Sequence, residues 1–230
     1  MSTEPLSPSA RTQPTRAAKR FRSERDDLLR FLDDALIGHI GVMNADHPVV
    51  LPMAFGVVRE GPDDGGSIYL HASVAAGWLR DLDNAAVCFT VTELDGLVAA
   101  RSRKKHSMNY RCAVIIGRAR IVTDADERQI ALTSIIEHMI PGRSATLRDD
   151  NRKELAAVSL IALPLREASL KVRDEGANDE PEDELPGTWA GVIPLARVAG
   201  RPLTNPGISV APPLDIERRA VSLGWTAEPQ

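Results

Sequence analysis

Residues 86–122 read AVCFTVTELDGLVAARSRKKHSMNYRCAVIIGRARIV, two or three long β-branched, apolar strands interrupted by one very polar connector. From Arg101 to Arg111 the connector holds Arg101, Arg103, Lys104, Lys105, His106, Asn109, Tyr110 and Arg111. A sheet can present such a stretch at its edge or mouth but cannot bury it. Cationic and hydrogen-bonding side chains held by strands suit an anionic ligand, because strands fix geometry better than a free loop does. A solvated basic loop joining two strands is the alternative that composition leaves open.

The rest of the composition bounds what this segment can belong to. With 230 residues, 43% of them hydrophobic, the chain can bury one good core with decorated ends. The net charge of -4, from 28 basic and 32 acidic residues, argues against a dedicated nucleic-acid binder despite the local basic patch. Cys88 and Cys112 lie inside apolar runs, where free thiols behave as small buried hydrophobes, so neither reads as a nucleophile or metal ligand. The first apolar run begins only after Asp26 and is broken by Asp33 and Asp34, so no signal peptide is visible. No stretch approaches the ~18 apolar residues of a membrane span. The expectation is a cytoplasmic protein with reduced thiols, and no membrane or nucleic-acid partner.

Outward from the central segment, periodicity assigns the elements. Residues 1–23 are Pro-, Ser- and Thr-rich with scattered basic groups, the composition of a flexible basic tail. Ser23 is placed to cap a helix from Glu24 to Ala35, with Leu28, Leu29, Phe31, Leu32 and Ala35 at helical spacing. The period then changes to two: His39–Met43 is a strand, Asn44–His47 a hairpin turn, and Pro48–Val58 a second strand whose Pro52 implies a bulge or an edge. After the turn cluster at Glu60–Gly66 come a strand Ser67–His71 and, capped by Ser73, a helix Val74–Leu82. Beyond the central segment Asp124 begins a helix to about Ile140, followed by a short helix Asp149–Val158 and a strand Ser159–Leu165 that Leu170–Val172 extends or follows. Residues 174–186 form an acidic linker, and 187–230 return to strand character at Thr188–Leu195 before a Pro-rich end that packs on the surface. Runs of adjacent strands with few crossover helices favour a mainly β, α+β arrangement, an antiparallel barrel with helices outside.

Motif chemistry narrows the function by exclusion. His39, His47, His71, His106 and His138 occur without H-E-x-x-H, C-x-x-C or a clustered carboxylate, so no metal site is expected. G-x-S-x-G, G-x-x-x-x-G-K-[ST] and G-x-G-x-x-G are also absent from the sequence. What remains is the strand end at His71–Ser73, the bulged strand at Pro52, and the connector ending in His106–Arg111.

These pieces occur together in one family. Val50-Leu51-Pro52, Tyr69-Leu70-His71-Ala72-Ser73, residues 91–98 (VTELDGLV), residues 106–111 (HSMNYR), residues 137–143 (EHMIPGR), residues 167–173 (EASLKVR) and residues 189–195 (WAGVIPL) resemble the pyridoxamine 5'-phosphate-oxidase-like FMN-binding split-barrel proteins. The likeness is strongest to the branch with flavin-nucleotide-binding and 5-nitroimidazole-resistance proteins, and it covers about Glu24 to Pro202.

The resemblance implies a six-stranded antiparallel split β-barrel over residues 24–173, forming a homodimer with FMN in two equivalent interface clefts. Leu51, Pro52 and Met53 would lie along the isoalloxazine, while His71, Ala72 and Ser73, with Trp78 beyond them, would receive the phosphate. Thr90, Lys105, Ser107, Asn109, Tyr110 and Arg111 would complete the pocket, partly from the other subunit. His71 and Tyr110 are the implied catalytic proton donors. One departure stands out: where relatives carry Ser followed by Arg or Lys in the phosphate turn, this chain has Ala76-Gly77, leaving Arg80, or Arg103, Lys104 and Lys105, to supply charge. The implied function is a flavin-dependent oxidoreductase acting on a small molecule. The alternative is a non-catalytic flavin- or haem-type binding protein with an altered phosphate site.

Overall fold

Strand-forming sequence starts at β1 (Phe21–Arg22), followed by helix α1 (Arg25–Asp34), β2 (Gly38–Asn44), β3 (His47–Met53), β4 (Phe55–Val58) and β5 (Ser67–Ser73). The long pair β6 (Ala86–Ala99) and β7 (Ser107–Arg118) comes next, then β8 (Arg120–Ile121), α2 (Ala125–Met139), α3 (Arg152–Ala157), β9 (Val158–Pro164), β10 (Ala168–Arg173), β11 (Gly191–Pro194) and α4 (Leu214–Ser222). The structure, a computed structural model, describes residues 5–7, 9–183 and 187–226.

The strands form two antiparallel sheets, ordered β1-β10-β7-β6-β2-β3 with β11 added to the end of β6, and β4-β5-β9-β8. The chain passes between the sheets at three places where a strand would otherwise run on. Ala54 separates β3 from β4, Ala119 separates β7 from β8, and residues 165–167 separate β9 from β10. Those crossings make the split barrel: two facing sheets that share corners without closing. Pro52 lies on the edge strand β3, the position in a sheet where proline is tolerated.

Alternation explains the core. Ile40 and Val42 of β2, Val87, Phe89 and Val91 of β6, and Ala113 and Ile115 of β7 are buried, and they meet Phe55, Ile68, Leu70, Ile161 and Leu163 from the other sheet. Phe55 and Phe89 pack edge to face with centroids 5.5 Å apart, a geometry worth ~0.5–1.5 kcal/mol beyond area burial. Helix α1 plugs the barrel with Leu28, Leu29, Phe31 and Leu32. Helix α2 covers the outer face of the smaller sheet, enclosing Tyr69, Val122, Ala131, Ile135, Leu160 and Ala162. Its approach is close enough that a Cβ on Gly56 would strike the Ser134 carbonyl carbon at 2.6 Å and the Ile135 nitrogen at 2.7 Å.

Several local expectations are corrected. Residues 74–82 do not form a helix: β5 continues through Ser73, and only one 3-10 turn follows at Gly77–Leu79. Gly77 in the middle of the stretch costs ~1 kcal/mol in a helix, and Leu82 must turn inward to become core before β6 begins. Ser23 bonds Glu24 instead of capping α1, whose N-cap residue is Glu24. The connector is shorter than its charge pattern suggests, since residues 107–111 already belong to β7. Helix α4 lies in the Pro-rich end, with Arg219 donating to the carbonyls of His138 and Met139 at the end of α2.

The amino-terminal segment is docked. Leu6 is buried, the N–H of Ser7 donates to the Ala168 carbonyl at 2.8 Å, and Ser9 and Arg11 bond Glu167. Residues 1–4 and 8 of the expected tail, 184–186 of the expected linker and 227–230 of the expected extension lie outside the described residues.

Candidate functional site

Because one face of β2, β6 and β7 fills the barrel, the alternate residues form its outer wall. His39 stands in register with Pro52 on one side and Thr90 on the other, Thr90 with Val114, and Val114 with Ser169. The adjacent row runs Val50, Gly41, Cys88, Ile116, and the opposite one Thr92, Cys112, Lys171. Tyr110 follows in the same alternation along β7. Apart from His39, Tyr110 and Lys171, the wall is built from short or apolar side chains, and Val50 and Met43 are 65% and 60% exposed on it. Of the residues expected at the site, it brings together Pro52, Thr90 and Tyr110.

The others are distributed differently. Leu51 and Met53 turn inward and pack against the core, as Ala72 does. Asn109 is buried, its side-chain oxygen accepting from the Arg173 guanidinium and, at 3.2 Å, from the Glu175 N–H. Lys105 forms an ion pair with Glu180, which raises the ammonium above its ordinary pKa. Arg111 is raised as well, first by its hydrogen bonds to Asp95. Ser107 is exposed at the start of β7.

His71, Ser73 and Trp78 belong to the other sheet and the turn that follows it. His71 and Ser73 are exposed at the end of β5, while Trp78 is half-buried against the core. Beside them a cleft of about 340 Å³ is lined by Val74–Gly77, Leu79, Arg80, Ile121 and Ser159. Arg80 is the cation among these lining residues, so it is placed to take over the charge missing at Ala76-Gly77. A three-residue 3-10 turn has no appreciable dipole, so side-chain charge and local N–H groups are what this turn can offer an anion.

Sequence reasoning missed His39, Gly41, Val50 and Val114 as wall residues. Period-two alternation through GHIGV and AVCFTVT carried the signal, since one half of each run had to face outward once the other filled the core.

The two sheets with shared corners, a helix plug and a flat outer wall define the split-barrel architecture of pyridoxamine-oxidase-like proteins. The family model described as pyridoxamine 5'-phosphate oxidase matches residues 24–172, and the chain belongs to that family. The flavocytochrome Anf3 from Azotobacter vinelandii is 32% identical, with 93% of this chain and 98% of that one covered at a TM-score of 0.84. The FAD and heme binding protein from Mycobacterium smegmatis is 34% identical, with 87% and 97% covered at 0.79. A candidate 5-nitroimidazole antibiotic resistance protein from Bacteroides thetaiotaomicron shares the fold at 21% identity and a TM-score of 0.53, with 66% and 86% covered. No curated protein matches the chain. Among the described residues no helix is long and apolar enough to cross a membrane, and no group of three or more His, Cys, Asp or Glu could hold a metal ion.

Proposed function

We propose that this chain is a flavin-binding oxidoreductase acting on a small molecule, with each ligand site completed by a second copy of the chain. The observation that carries the reading is the division of the candidate site. Pro52, Thr90 and Tyr110 lie on the outer wall of the larger sheet, whereas His71, Ser73 and the Arg80 cleft belong to the smaller one. A second copy seated on the wall would cover its exposed apolar side chains and enclose a ligand between the two sets.

The residues present fit a flavin. Pro52, Gly41, Thr90 and Val114 offer a low surface suited to a flat ring, and a Cβ on Gly41 would meet the Cys88 carbonyl at 3.5 Å and the Cys88 Cβ at 4.0 Å, both ordinary contacts. The Arg80 cleft offers charge to a phosphate, and the Tyr110 hydroxyl can carry a proton. A flavin supplies hydride and single-electron transfer, while the protein binds, orients and shields it. FMN is what the family resemblance implies, and the name of the mycobacterial relative favours FAD. The absorption spectrum of the purified protein, before and after addition of each flavin, tests the reading, with mass spectrometry of the released ligand choosing between them. A colourless protein that takes up neither would overturn it.

A second ligand is favoured by the two relatives above 30% identity, both named for haem or a cytochrome and both matching well beyond residues 24–172. The histidines fit this addition. His47, His106 and His138 are hydrogen-bonded to Asp46, the Ser102 carbonyl and the Ala35 carbonyl, whereas among the described residues His39 and His71 have no such partner. His71, the more exposed of the two, is the residue we assign to a haem iron. His71→Ala should abolish a haem absorption band that His39→Ala retains, and the opposite result would reverse the assignment.

A further inference from the structure

We infer that the basic connector at residues 101–106 is a binding site for a small diphosphate-bearing anion, held closed by the chain's own acidic segment at residues 177–183. The observation is a set of carboxylates already seated on the cations. The Arg101 N–H donates to the Asp179 carboxylate at 2.9 Å, and the Lys105 ammonium pairs with Glu180. Asp183 adds to the negative field at Lys105, as Asp179 does. These carboxylates stand where the oxygens of an anionic ligand would.

Two further cations lie beside them. Arg103 and Lys104 are exposed and, among the described residues, form no ion pair within 4 Å, though Lys104 adds, after Lys105, to the field that lowers the Glu180 carboxyl. Arg103 to Lys105 form one 3-10 turn, which gathers three cationic side chains over a short span. That span suits a compact multivalent anion better than an extended nucleic-acid backbone, and a net charge of -4 opposes the latter. A diphosphate presents several acceptor oxygens and more than one negative charge, enough to compete with Asp179 and Glu180 together.

The acidic segment is fastened at its start and lightly held beyond it. Buried Arg173 donates to the Glu175 and Gly176 carbonyls at 2.9 and 3.0 Å, and Glu175 pairs with Lys19 and Arg20 at 2.9 and 2.7 Å. From Ala177 to Asp183 the sequence ANDEPED offers no large apolar side chain to bury. Its Glu180 is 53% exposed, and exposed ion pairs are worth ~0–1 kcal/mol each. Gly176 therefore separates a clamp from a strap that an anion can displace. The inference does not require a bound flavin, because every group in it belongs to the connector or the strap.

Titration calorimetry of the full chain with inorganic pyrophosphate at low ionic strength tests it. Asp179→Asn with Glu180→Gln should bind pyrophosphate about tenfold more tightly than the unaltered chain. Lys104→Gln with Lys105→Gln should bind it at least tenfold more weakly than that opened variant when introduced into the same background. Hydrogen exchange at residues 177–183 of the unaltered chain should quicken on adding pyrophosphate, while exchange in β6 and β7 stays slow. FAD and a reduced nicotinamide dinucleotide serve as parallel ligands: tightening shared with pyrophosphate assigns the bridge of a dinucleotide, and tightening for pyrophosphate alone assigns a free diphosphate. An opened variant that binds no tighter than the unaltered chain, or lysine substitutions without effect, would overturn the site. Flavin content, read separately from absorbance, shows whether the flavin reading fails on its own.

Discussion

The Arg111 guanidinium holds the Asp95 carboxylate through two hydrogen bonds, from Nε at 3.0 Å and Nη2 at 2.9 Å. Asp95 is the residue at which the β6–β7 register shifts, between Leu94 paired with Tyr110 and Gly96 paired with Asn109. A bulge re-aims side chains, and here it accompanies a planar two-bond grip that strand alternation alone would not supply. The same guanidinium lies 5.3 Å from the Phe31 ring centroid and 3.7 Å from Asp34, tying the α1 plug to the central hairpin.

The first prediction follows from that grip. Arg111→Lys keeps the charge but loses the fork, so it should lower stability by about 1 kcal/mol, a value discounted because both partners are about one-third exposed. Asp95→Asn should cost a similar amount, and the double variant less than the sum, as expected for one coupled pair. Thermal melts of the three variants give the comparison. Because the charge is met within the chain, flavin affinity should change by no more than a few-fold. A tenfold loss in Arg111→Lys with an unchanged melting temperature would mean that the guanidinium meets the ligand directly.

Acid should loosen the packing of α2. Glu127 accepts from Tyr69 at 2.8 Å and from Arg120 at 2.7 and 2.8 Å, and Arg120 also bonds Asp63. The Arg120 contact, ahead of the smaller Tyr69 contribution, holds the Glu127 carboxyl below its ordinary 4.5. A carboxylate lowered in the folded state stabilises fully above its unfolded value, and that contribution is lost as pH falls from 4.5 through the folded one. Tyr69 behaves in the opposite sense at high pH. Burial, then the Glu127 bond, pushes its phenol from 10.0 up to about 12, so its contribution is complete below 10.0 and lost as pH rises toward about 12. Glu127→Gln should therefore flatten the stability profile below pH 4.5, which denaturant titrations at stepped pH would show. An unchanged acid limb would place the loss at other carboxylates.

The outer wall supplies the third prediction. Val50→Glu puts a charge in a row with Gly41, Cys88 and Ile116, at a position 65% exposed in the single chain. If a second copy covers the wall, that carboxylate must be desolvated, at a cost of several kcal/mol. Light scattering should then find a dimer for the unaltered chain and a monomer for the variant, with flavin lost in parallel and the melting transition still cooperative. A monomeric unaltered chain that retains flavin would sink the shared-site reading.

The fold was legible where a local pattern and a global constraint agreed. Leu28, Leu29, Phe31 and Leu32 at helical spacing gave α1, and alternation in residues 86–92 and 113–116 gave the central hairpin. Residues 74–82 misled because Ser73 followed by Val74 and Ala75 looks like a capped helix. What decides the segment is tertiary: β5 extends to pair Ser73 with Val158, and Leu82 must reach the core. Pro52 gave the edge correctly, but the neighbouring face assignment did not follow from it. Leu51 and Met53 point inward because the crossing at Ala54 fixes the phase of β3 against β4, which no local pattern encodes. The docked start of the chain was hidden for a related reason. Its few anchors, Leu6 and Thr12 among them, are too sparse to show as a pattern and are buried only once β10 is in place.

The last prediction concerns the turn after β5. Ala76→Ser with Gly77→Arg supplies the hydroxyl and cation that the family resemblance leads one to expect in this turn. The turn can accept them: a Cβ on Gly77 meets nothing within 4 Å, and both positions border the open cleft that Arg80 lines. FMN and riboflavin share ring contacts, so comparing them isolates the phosphate end. If the phosphate sits in this cleft, the variant should tighten FMN by ~1–3 kcal/mol and leave riboflavin almost unchanged. Fluorescence titration of the two flavins against both proteins measures the difference directly. Equal tightening of both would mean the substitutions act through packing of the turn, since riboflavin has no phosphate to gain. No change for either would mean that Arg80 or the connector already meets the phosphate, or that the phosphate lies outside this cleft.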